Sequence, residues 1–493
     1  MANTQVEAVV PEVEGSNSNV AAVPSIQTYT SADIPSLAET FRKVNATTED
    51  ILNAVTGFRK ILSVEKNPPV QEVISANVLP NFIQLLMHPD PKVQFEAAWA
   101  LTNVASTEFT RTVAQYGAIP NLVQLLLSGN PDVREQSAWC LGNIAGDATD
   151  LRDMVLEAGA LEPMLKNVTE PANKGLLNNV VWAISNFCRG KPQPNLALVE
   201  PAVPHLAQLI HENNSPAVMD ACWAISYISD GDDARIDAVM NTGVTPALIK
   251  LLGSSNSSIV TPALRALGNF VSGNERQTQG VVDAGVVESA QMLLEHPKRS
   301  VRKETCWLLS NIAAGNTEQI SSIIRKPQTI RAVLGLVERA EWEVRKEATW
   351  VISNICTGGQ TNHVHDIVEL GAINALCSVI DAADPKILMI VLDAIESILR
   401  VGKLSSRDYV GYVDECDGLD KIESLQEHEN DAVYKKTVGI IETYFGVEDG
   451  EDENLVPEIN GDQFAFGLPV SKTLETGDMM QQHEQQPLQP FNF

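Results

Sequence analysis

Tryptophan recurs along this chain at a nearly constant spacing of 40 to 43 residues. The flat face of an indole ring can hold the aliphatic stem of a lysine or arginine, and each such contact contributes roughly 0.5–2 kcal/mol. One position of this series carries arginine instead of tryptophan. The series consists of Trp99, Trp139, Trp182, Trp223, Arg265, Trp307 and Trp350.

Asparagine follows five of these tryptophans four residues later, on the same face of a helix. The pairs are Trp99/Asn103, Trp139/Asn143, Trp182/Asn186, Trp307/Asn311 and Trp350/Asn354. An amide offers both donors and an acceptor, so it can hold the backbone of an extended peptide. We expect the pairs to form a ladder that binds an extended, basic peptide. A structural alternative is that tryptophan packs between repeats and asparagine caps a neighbouring helix.

Glycine and proline mark the elements that must position this ladder. Glycine recurs between a helical segment and the next apolar run, for example at Gly117 and Gly285, and proline precedes several tryptophan-bearing segments, for example at Pro131. Each unit of about 42 residues therefore reads as three helices, which is typical of armadillo repeats. The sequence predicts an all-α fold, a right-handed superhelical solenoid of about ten armadillo repeats over residues 46–447, with atypical end units.

The two ends of the chain differ from the middle in composition. Residues 1–50 contain seven acids and two bases, and residues 447–493 contain ten acids and one base. Neither end shows helical periodicity. We therefore predict that residues 1–45 are a disordered acidic segment and that residues 448–493 are a disordered, acidic, Gln-rich tail.

Composition argues against several classes of protein. The net charge is −28, which disfavours direct binding of nucleic acid or of an anionic membrane, and no apolar run has the roughly 20 residues needed to span a bilayer. The seven cysteines are an odd number without a Cys-x-x-Cys motif, which is typical of buried thiols in a reducing compartment. No metal-ligand, nucleotide-binding or nucleophile motif occurs. We expect no enzyme activity, no cofactor and no metal.

Four stretches resemble the importin-α family of nuclear-localisation-signal receptors: residues 94–103 (QFEAAWALTN), 139–147 (WCLGNIAGD), 222–227 (CWAISY) and 261–269 (TPALRALGN). The resemblance extends from about residue 50 to the C-terminus. It implies a nuclear-import adaptor that binds basic localisation signals of cargo proteins in two grooves. An alternative is an armadillo scaffold that retains the same cargo without transporting it.

The resemblance also implies which residues form the grooves. Asp147 matches the family's aspartate for the key lysine, with Ser106 and Gln136 beside it, and Glu304 and Glu347 match cation partners in the minor groove. The implied major groove comprises Trp99, Asn103, Ser106, Gln136, Trp139, Asn143, Asp147, Trp182, Asn186 and Trp223. The implied minor groove comprises Arg265, Asn269, Glu304, Trp307, Asn311, Glu347, Trp350 and Asn354.

Partners follow from the same resemblance. The family normally carries a strongly basic importin-β-binding segment, but residues 1–50 contain only the cations Arg42 and Lys43. We therefore expect cargo binding that does not depend on importin-β. Residues 427–430 (EHEN) and the following acids resemble the region that the family's exporter binds. The implied location is the cytoplasm and the nucleus, with shuttling through nuclear pores.

Overall fold

The structure is a computed structural model, and it describes residues 28–446 together with two short strands further along the chain. In chain order the helices are α1 (Ile34–Thr40), α2 (Thr48–Leu62), α3 (Val70–Ser75), α4 (Leu79–Leu85), α5 (Pro91–Ala105), α6 (Thr110–Gln115), α7 (Ala118–Leu125), α8 (Pro131–Asp147), α9 (Thr149–Glu157), α10 (Leu161–Thr169), α11 (Lys174–Cys188), α12 (Leu196–Val199), α13 (Val203–Leu209), α14 (Ser215–Ser229) and α15 (Asp233–Met240). They continue as α16 (Thr245–Leu251), α17 (Ser257–Phe270), α18 (Glu275–Asp283), α19 (Val286–Leu294), α20 (Arg299–Ala313), α21 (Thr317–Ile324), α22 (Pro327–Arg339), α23 (Trp342–Gly358), α24 (Thr361–Glu369), α25 (Ala372–Cys377), α26 (Pro385–Ser405), α27 (Tyr409–Glu415), α28 (Gly418–Ser424) and α29 (Asp431–Ile440).

These helices repeat in threes after α1 and α2. The first and second helix of a unit are short, and the third is usually the longest, as in α6, α7 and α8. Glycine with positive φ joins the first two helices in several units, for example Gly117 (φ 86°) and Gly285 (φ 91°), where a side chain would strain the backbone. Proline starts several third helices in the first turn, where its missing N–H costs no hydrogen bond. The predicted all-α armadillo solenoid is therefore confirmed.

The chain divides into two units, residues 1–421 and 422–493. In the first unit each third helix packs on the next one, in the order α2, α5, α8, α11, α14, α17, α20, α23 and α26. The core follows this stack, and its largest fully buried side chains include Phe58, Phe82, Phe187 and Phe270. The second unit contains α29, which ends in a π-helical turn over Ile441–Phe445.

Structure begins earlier than the sequence analysis predicted. A 3-10 turn (Ser31–Asp33) leads into α1, whose Ile34 and Ala38 are buried, and Phe41 contacts Phe58 and Phe82 at ring-centroid distances of 5.9 and 6.1 Å. The prediction of a disordered segment over residues 1–45 is thus wrong for residues 31–41. The apolar spacing 34, 37, 38 and 41 is helical, but it lies in an acid-rich stretch whose composition dominated the interpretation.

Two short strands lie in the segment that the sequence analysis predicted to be disordered. Strands β1 (Glu458–Asn460) and β2 (Gln463–Ala465) pair antiparallel, with Ile459 opposite Phe464. Predicted disorder does not hold for these two strands. Residues 1–27 and the rest of the tail after residue 446 lie outside the described residues. Within the described part of the chain, no helix is long and apolar enough to cross a membrane.

Replacing Phe41 with alanine tests whether α1 belongs to the folded core. The ring makes one stacked and one edge-on contact with buried phenylalanines, so we expect Phe41→Ala to lower the free energy of unfolding by about 1–3 kcal/mol. Urea unfolding followed by circular dichroism measures the change. The matched control is Val44→Ala, because Val44 is 98% exposed. Equal stability of the two variants would contradict the packing of this segment.

Candidate peptide-binding surface

The six tryptophans of the repeating series lie on third helices, namely α5, α8, α11, α14, α20 and α23. Because these helices stack side by side and the indoles share one phase, the rings line one face of the stack. None of the six is fully buried, and Trp139 and Trp350 are 39% and 40% exposed. Contiguous apolar patches are uncommon on protein surfaces, and they indicate sites that bind a partner. The row of partly exposed rings is therefore a candidate binding face.

A small residue lies three positions after each indole position, and it accommodates the next repeat. These residues are Thr102, Gly142, Ser185, Ser226, Gly268, Ser310 and Ser353. At Gly142 an added Cβ would lie 2.4 Å from Cζ3 of Trp182, and at Gly268 it would lie 2.2 Å from Cζ3 of Trp307. The indole of one repeat therefore rests against the backbone of the helix before it.

Ladder asparagines join the same two helices. The Nδ2 group of Asn186 donates to the carbonyl oxygen of Gly142 (3.1 Å), Asn269 donates to Ser226 (2.8 Å) and Asn354 to Ser310 (2.9 Å). Asn143 makes a longer bond of this kind to Thr102, at 3.4 Å. Asn103 makes a bond of the same length to the carbonyl oxygen of Arg59 and also donates to Oγ of Ser63 at 2.9 Å. The structural alternative is thus partly right, since these amides connect neighbouring repeats.

A single hydrogen bond uses only one of the polar groups of an asparagine side chain. Asparagine has two N–H donors and one oxygen acceptor, so an N–H and the oxygen of Asn143, Asn186 and Asn354 remain for a ligand. Asn311 is the exception, because its Nδ2 is buried and has no hydrogen-bond partner. A small pocket of about 380 Å³ adjoins it, lined also by Thr278 and Gln319. Among the described ladder amides, Asn311 has the strongest unmet need for a hydrogen-bond acceptor.

The predicted lysine anchor is accessible. Asp147 ends α8, is exposed, and has no hydrogen bond or ion pair in the described part of the chain. Ser106 is also exposed, and its hydroxyl donates to the carbonyl of Asn103. Gln136 differs: it is 5% exposed and donates through Nε2 to Oγ1 of Thr102 at 2.7 Å. Gln136 therefore supports the stack and offers at most its amide oxygen to a ligand.

A second row of polar residues lies three positions, almost one helical turn, before each indole position. It consists of Glu96, Gln136, Asn179, Asp220, Glu304 and Glu347, and Pro262 interrupts it. The sequence analysis assigned three of them and missed Glu96, Asn179 and Asp220, although the same spacing identifies all. Asn179 donates to Glu135, whose pKa is raised by burial despite this bond. Four of the seven repeats thus place a carboxyl group one turn before the indole position.

In the minor groove the two predicted cation partners differ. The Glu304 carboxylate is already bound by Arg265, with Nε 2.7 Å from Oε2. Glu347 has no ion pair among residues 28–446, and burial raises the pKa of its carboxyl. Of the two acids, Glu347 is the one available to a ligand.

Between the two predicted grooves the ladder changes composition. Trp223 stacks on Tyr227 with a centroid distance of 5.7 Å, and tyrosine replaces the usual asparagine. Burial raises the pKa of the Asp220 carboxyl to about 7, and the side chain has no hydrogen-bond partner in the described residues. This carboxyl therefore holds its proton to a higher pH than an exposed aspartate does.

Regular three-helix repeats, with a row of partly exposed indoles, amides and carboxyl groups on their third helices, define an armadillo-repeat peptide-binding protein. Models of the armadillo/β-catenin-like repeat match residues 66–106, 106–146, 192–230, 232–272 and 274–314, and the atypical Arm repeat matches residues 407–458. A crystal structure of an engineered protein superposes with a TM-score of 0.77 at 25% identity, covering 84% of this chain and 99% of that one.

Curated relatives identify the family. Importin subunit alpha-2 of Arabidopsis thaliana is 46% identical over 428 residues, which are 85% of this chain and 79% of the relative. Importin subunit alpha-3 of Caenorhabditis elegans is 53% identical over 401 residues, which are 81% and 78% of the two chains. The chain belongs to the importin-α family of nuclear-import adaptors.

The raised pKa of Asp220 predicts a pH-dependent cost to stability. Because the folded state binds this proton more tightly than the unfolded chain does, stability should fall as pH rises from about 4 to about 7. Asp220→Asn removes this titration, so at pH 8 we expect it to be more stable than the parent by about 2–4 kcal/mol. At pH 4 the two proteins should agree. Urea unfolding at both pH values measures the difference, and a pH-independent difference would contradict the assignment.

Proposed function

We propose that this importin-α chain binds basic localisation signals as extended peptides along the indole row. Asp147 carries the proposal, because it is exposed, has no ion-pair partner in the part of the chain that the structure describes, and ends the helix that carries Trp139. Trp139, Trp182 and their neighbours would hold aliphatic stems between their rings, and Asp147 would bind the ammonium group of one lysine. The two proposed grooves keep the residues given above, with Gln136 in a supporting role and Glu347 as the accessible acid of the minor groove.

Recognition would divide between backbone and side chains. The remaining N–H and oxygen of the amides of Asn143, Asn186 and Asn354 bind peptide backbone, which is independent of sequence. Carboxylates beside the indoles then select lysine and arginine over neutral side chains, because only a cation compensates their desolvation. Since the amides are already held by the stack, little side-chain entropy is lost when the peptide binds.

Asp147→Lys tests the major groove directly. Reversing this charge removes the lysine anchor and adds a repulsive cation, so we expect the affinity for a single-cluster basic peptide to fall at least about tenfold. Fluorescence anisotropy with a labelled peptide measures the affinity. The control is Glu157→Lys, because Glu157 is also an exposed acid and lies on α9, away from the indole row. Normal binding by Asp147→Lys would show that the groove is assigned to the wrong place.

Transport partners follow from membership of the family. Importin-α proteins bind cargo and importin-β, and we propose that this chain shuttles between the cytoplasm and the nucleus. Residues 1–50 carry two cations against seven acids, so we propose that this range does not supply a basic strand for importin-β. We also propose that the family's exporter binds near residues 427–430, where a 3-10 turn (Leu425–Glu427) precedes α29.

Pull-downs separate these partner assignments. We expect the full chain and a chain without residues 1–30 to retain equal amounts of purified importin-β, whether that amount is large or small. Alanine replacement of Glu427 and Glu429 should reduce binding of the purified exporter and leave peptide affinity unchanged, because the two acids lie far in sequence from the indole row. A loss of importin-β binding after the truncation would contradict the first assignment, and unchanged exporter binding would contradict the second.

A further inference from the structure

Two arginines in the described chain reach the carboxyl group and the indole of the repeat that follows them. Arg265 precedes Trp307 by 42 residues, and Arg59 precedes Trp99 by 40. Both lie on third helices, α17 and α2. Arg265 takes the indole position, whereas the carbonyl oxygen of Arg59 accepts Nδ2 of Asn103 (3.4 Å), so Arg59 takes the position that Gly142 has for Asn186. The sequence analysis identified the first of these arginines and missed the second.

Arg265 occupies the cation position of the following repeat. Its Nε and a terminal nitrogen donate to the two oxygens of Glu304, at 2.7 and 2.5 Å, and its Cζ lies 5.7 Å from the ring centroid of Trp307. The side chain of Glu304 is only 9% exposed, whereas that of Arg265 is 47% exposed. A carboxylate and an indole that could receive a ligand's cation thus already hold one.

Arg59 repeats this arrangement at the other end of the row. Its Nε lies 2.8 Å from Oε2 of Glu96, a terminal nitrogen lies 3.2 Å from Oε1, and its Cζ lies 4.3 Å from the ring centroid of Trp99. Both side chains of the ion pair are mostly buried, at 16% and 14% exposure. Two independent sites with the same donor, acceptor and ring make a coincidental surface ion pair a poor explanation.

We infer that Arg59 and Arg265 are internal ligands that fill the cation sites of Trp99/Glu96 and Trp307/Glu304 and thereby fix where each peptide groove ends. This inference rests on the proposed function of the indole row. A tethered guanidinium competes at a high effective concentration, on the order of millimolar or more, so a peptide cation must displace it before binding there. The apparent affinity at such a site falls by the fraction of molecules in which the site is open.

Occupation of these two sites by arginine determines the register of a bound peptide. Cations of the ligand are directed to carboxylates without an internal partner, such as Asp147 and Glu347, and are kept away from Glu96 and Glu304. A longer basic peptide therefore gains little from extra cations that extend towards Arg265. Arginine, with its bidentate fork and flat face, suits this role better than lysine.

The experiment measures how peptide length affects affinity when Arg265 is removed. Asp147→Lys serves as the background, because it silences the major groove, and the probes are fluorescein-labelled tetra-arginine and octa-arginine. Arg265→Met keeps an apolar stem on Trp307 and frees Glu304. We expect octa-arginine to bind the protein with both substitutions about fivefold more tightly than it binds Asp147→Lys alone. The affinity for tetra-arginine should change less than about twofold.

Two matched variants separate a freed site from a general loss of charge. Arg276→Met removes one positive charge from α18, where Arg276 pairs with Asp237 outside the indole row, and it should leave both affinities unchanged. Arg265→Met combined with Glu304→Gln should lose the gain, because the freed carboxylate is gone. No gain with Arg265→Met, or an equal gain with Arg276→Met or with the double variant, would overturn the inference.

Folding and the proposed function are checked separately. If Arg265→Met does not fold, Arg265→Lys replaces it, because lysine keeps the charge but binds Glu304 less well than arginine does. We then expect the affinity for octa-arginine to rise about twofold. No rise in affinity would overturn the inference. If the unmodified chain binds neither peptide, the proposed function fails. If it binds both and the Arg265 variants leave the length dependence unchanged, only this inference fails.

Discussion

The contact between successive third helices is the interaction on which the rest of the structure depends. At this contact one small residue has two roles: Gly142 leaves space for the indole of Trp182, and its carbonyl oxygen accepts the amide of Asn186. The same geometry recurs where Ser226 and Ser310 accept Asn269 and Asn354. Because the contact repeats, the stack keeps a regular spacing, and the indoles are held partly exposed on one face. Recognition residues are thus also packing residues.

This coupling explains why the surface is prepared for a ligand before any ligand arrives. An amide that is free to rotate would lose entropy on binding, whereas Asn186 and Asn354 are fixed by bonds to the preceding helix and still keep a second N–H and an oxygen. Asn311 departs from this rule, since its buried Nδ2 lacks an acceptor. At that repeat the preceding helix carries Arg265 in place of an indole, so the irregular amide and the irregular indole position occur at the same contact.

Sequence patterns predicted the repeat, the helix order and the indole row, because a period of about 42 residues and the glycine and proline positions are visible without any knowledge of packing. Hydrogen-bond partners across repeats were not predictable in this way. The donor of Asn143 is separated from its acceptor by 41 residues and that of Asn354 by 44, so the pairing depends on how the helices are offset. Arg59 was missed for a related reason: nothing in its local sequence shows that it reaches Glu96. Composition misled in the case of α1, where acids around Ile34 and Phe41 concealed a helical pattern.

The charge pattern along the row supports the proposal of two grooves instead of one continuous groove. Both proposed grooves keep an unpaired acid, Asp147 in the first and Glu347 in the second. Between them Asp220 has a pKa raised to about 7 by burial, proline replaces the acid at residue 262, and Glu304 is neutralised by Arg265. Three successive repeats therefore offer little negative charge to a peptide cation, although the chain as a whole carries a net charge of −28. The overall charge raises the encounter rate with any basic segment, and the local pattern determines where that segment can be held.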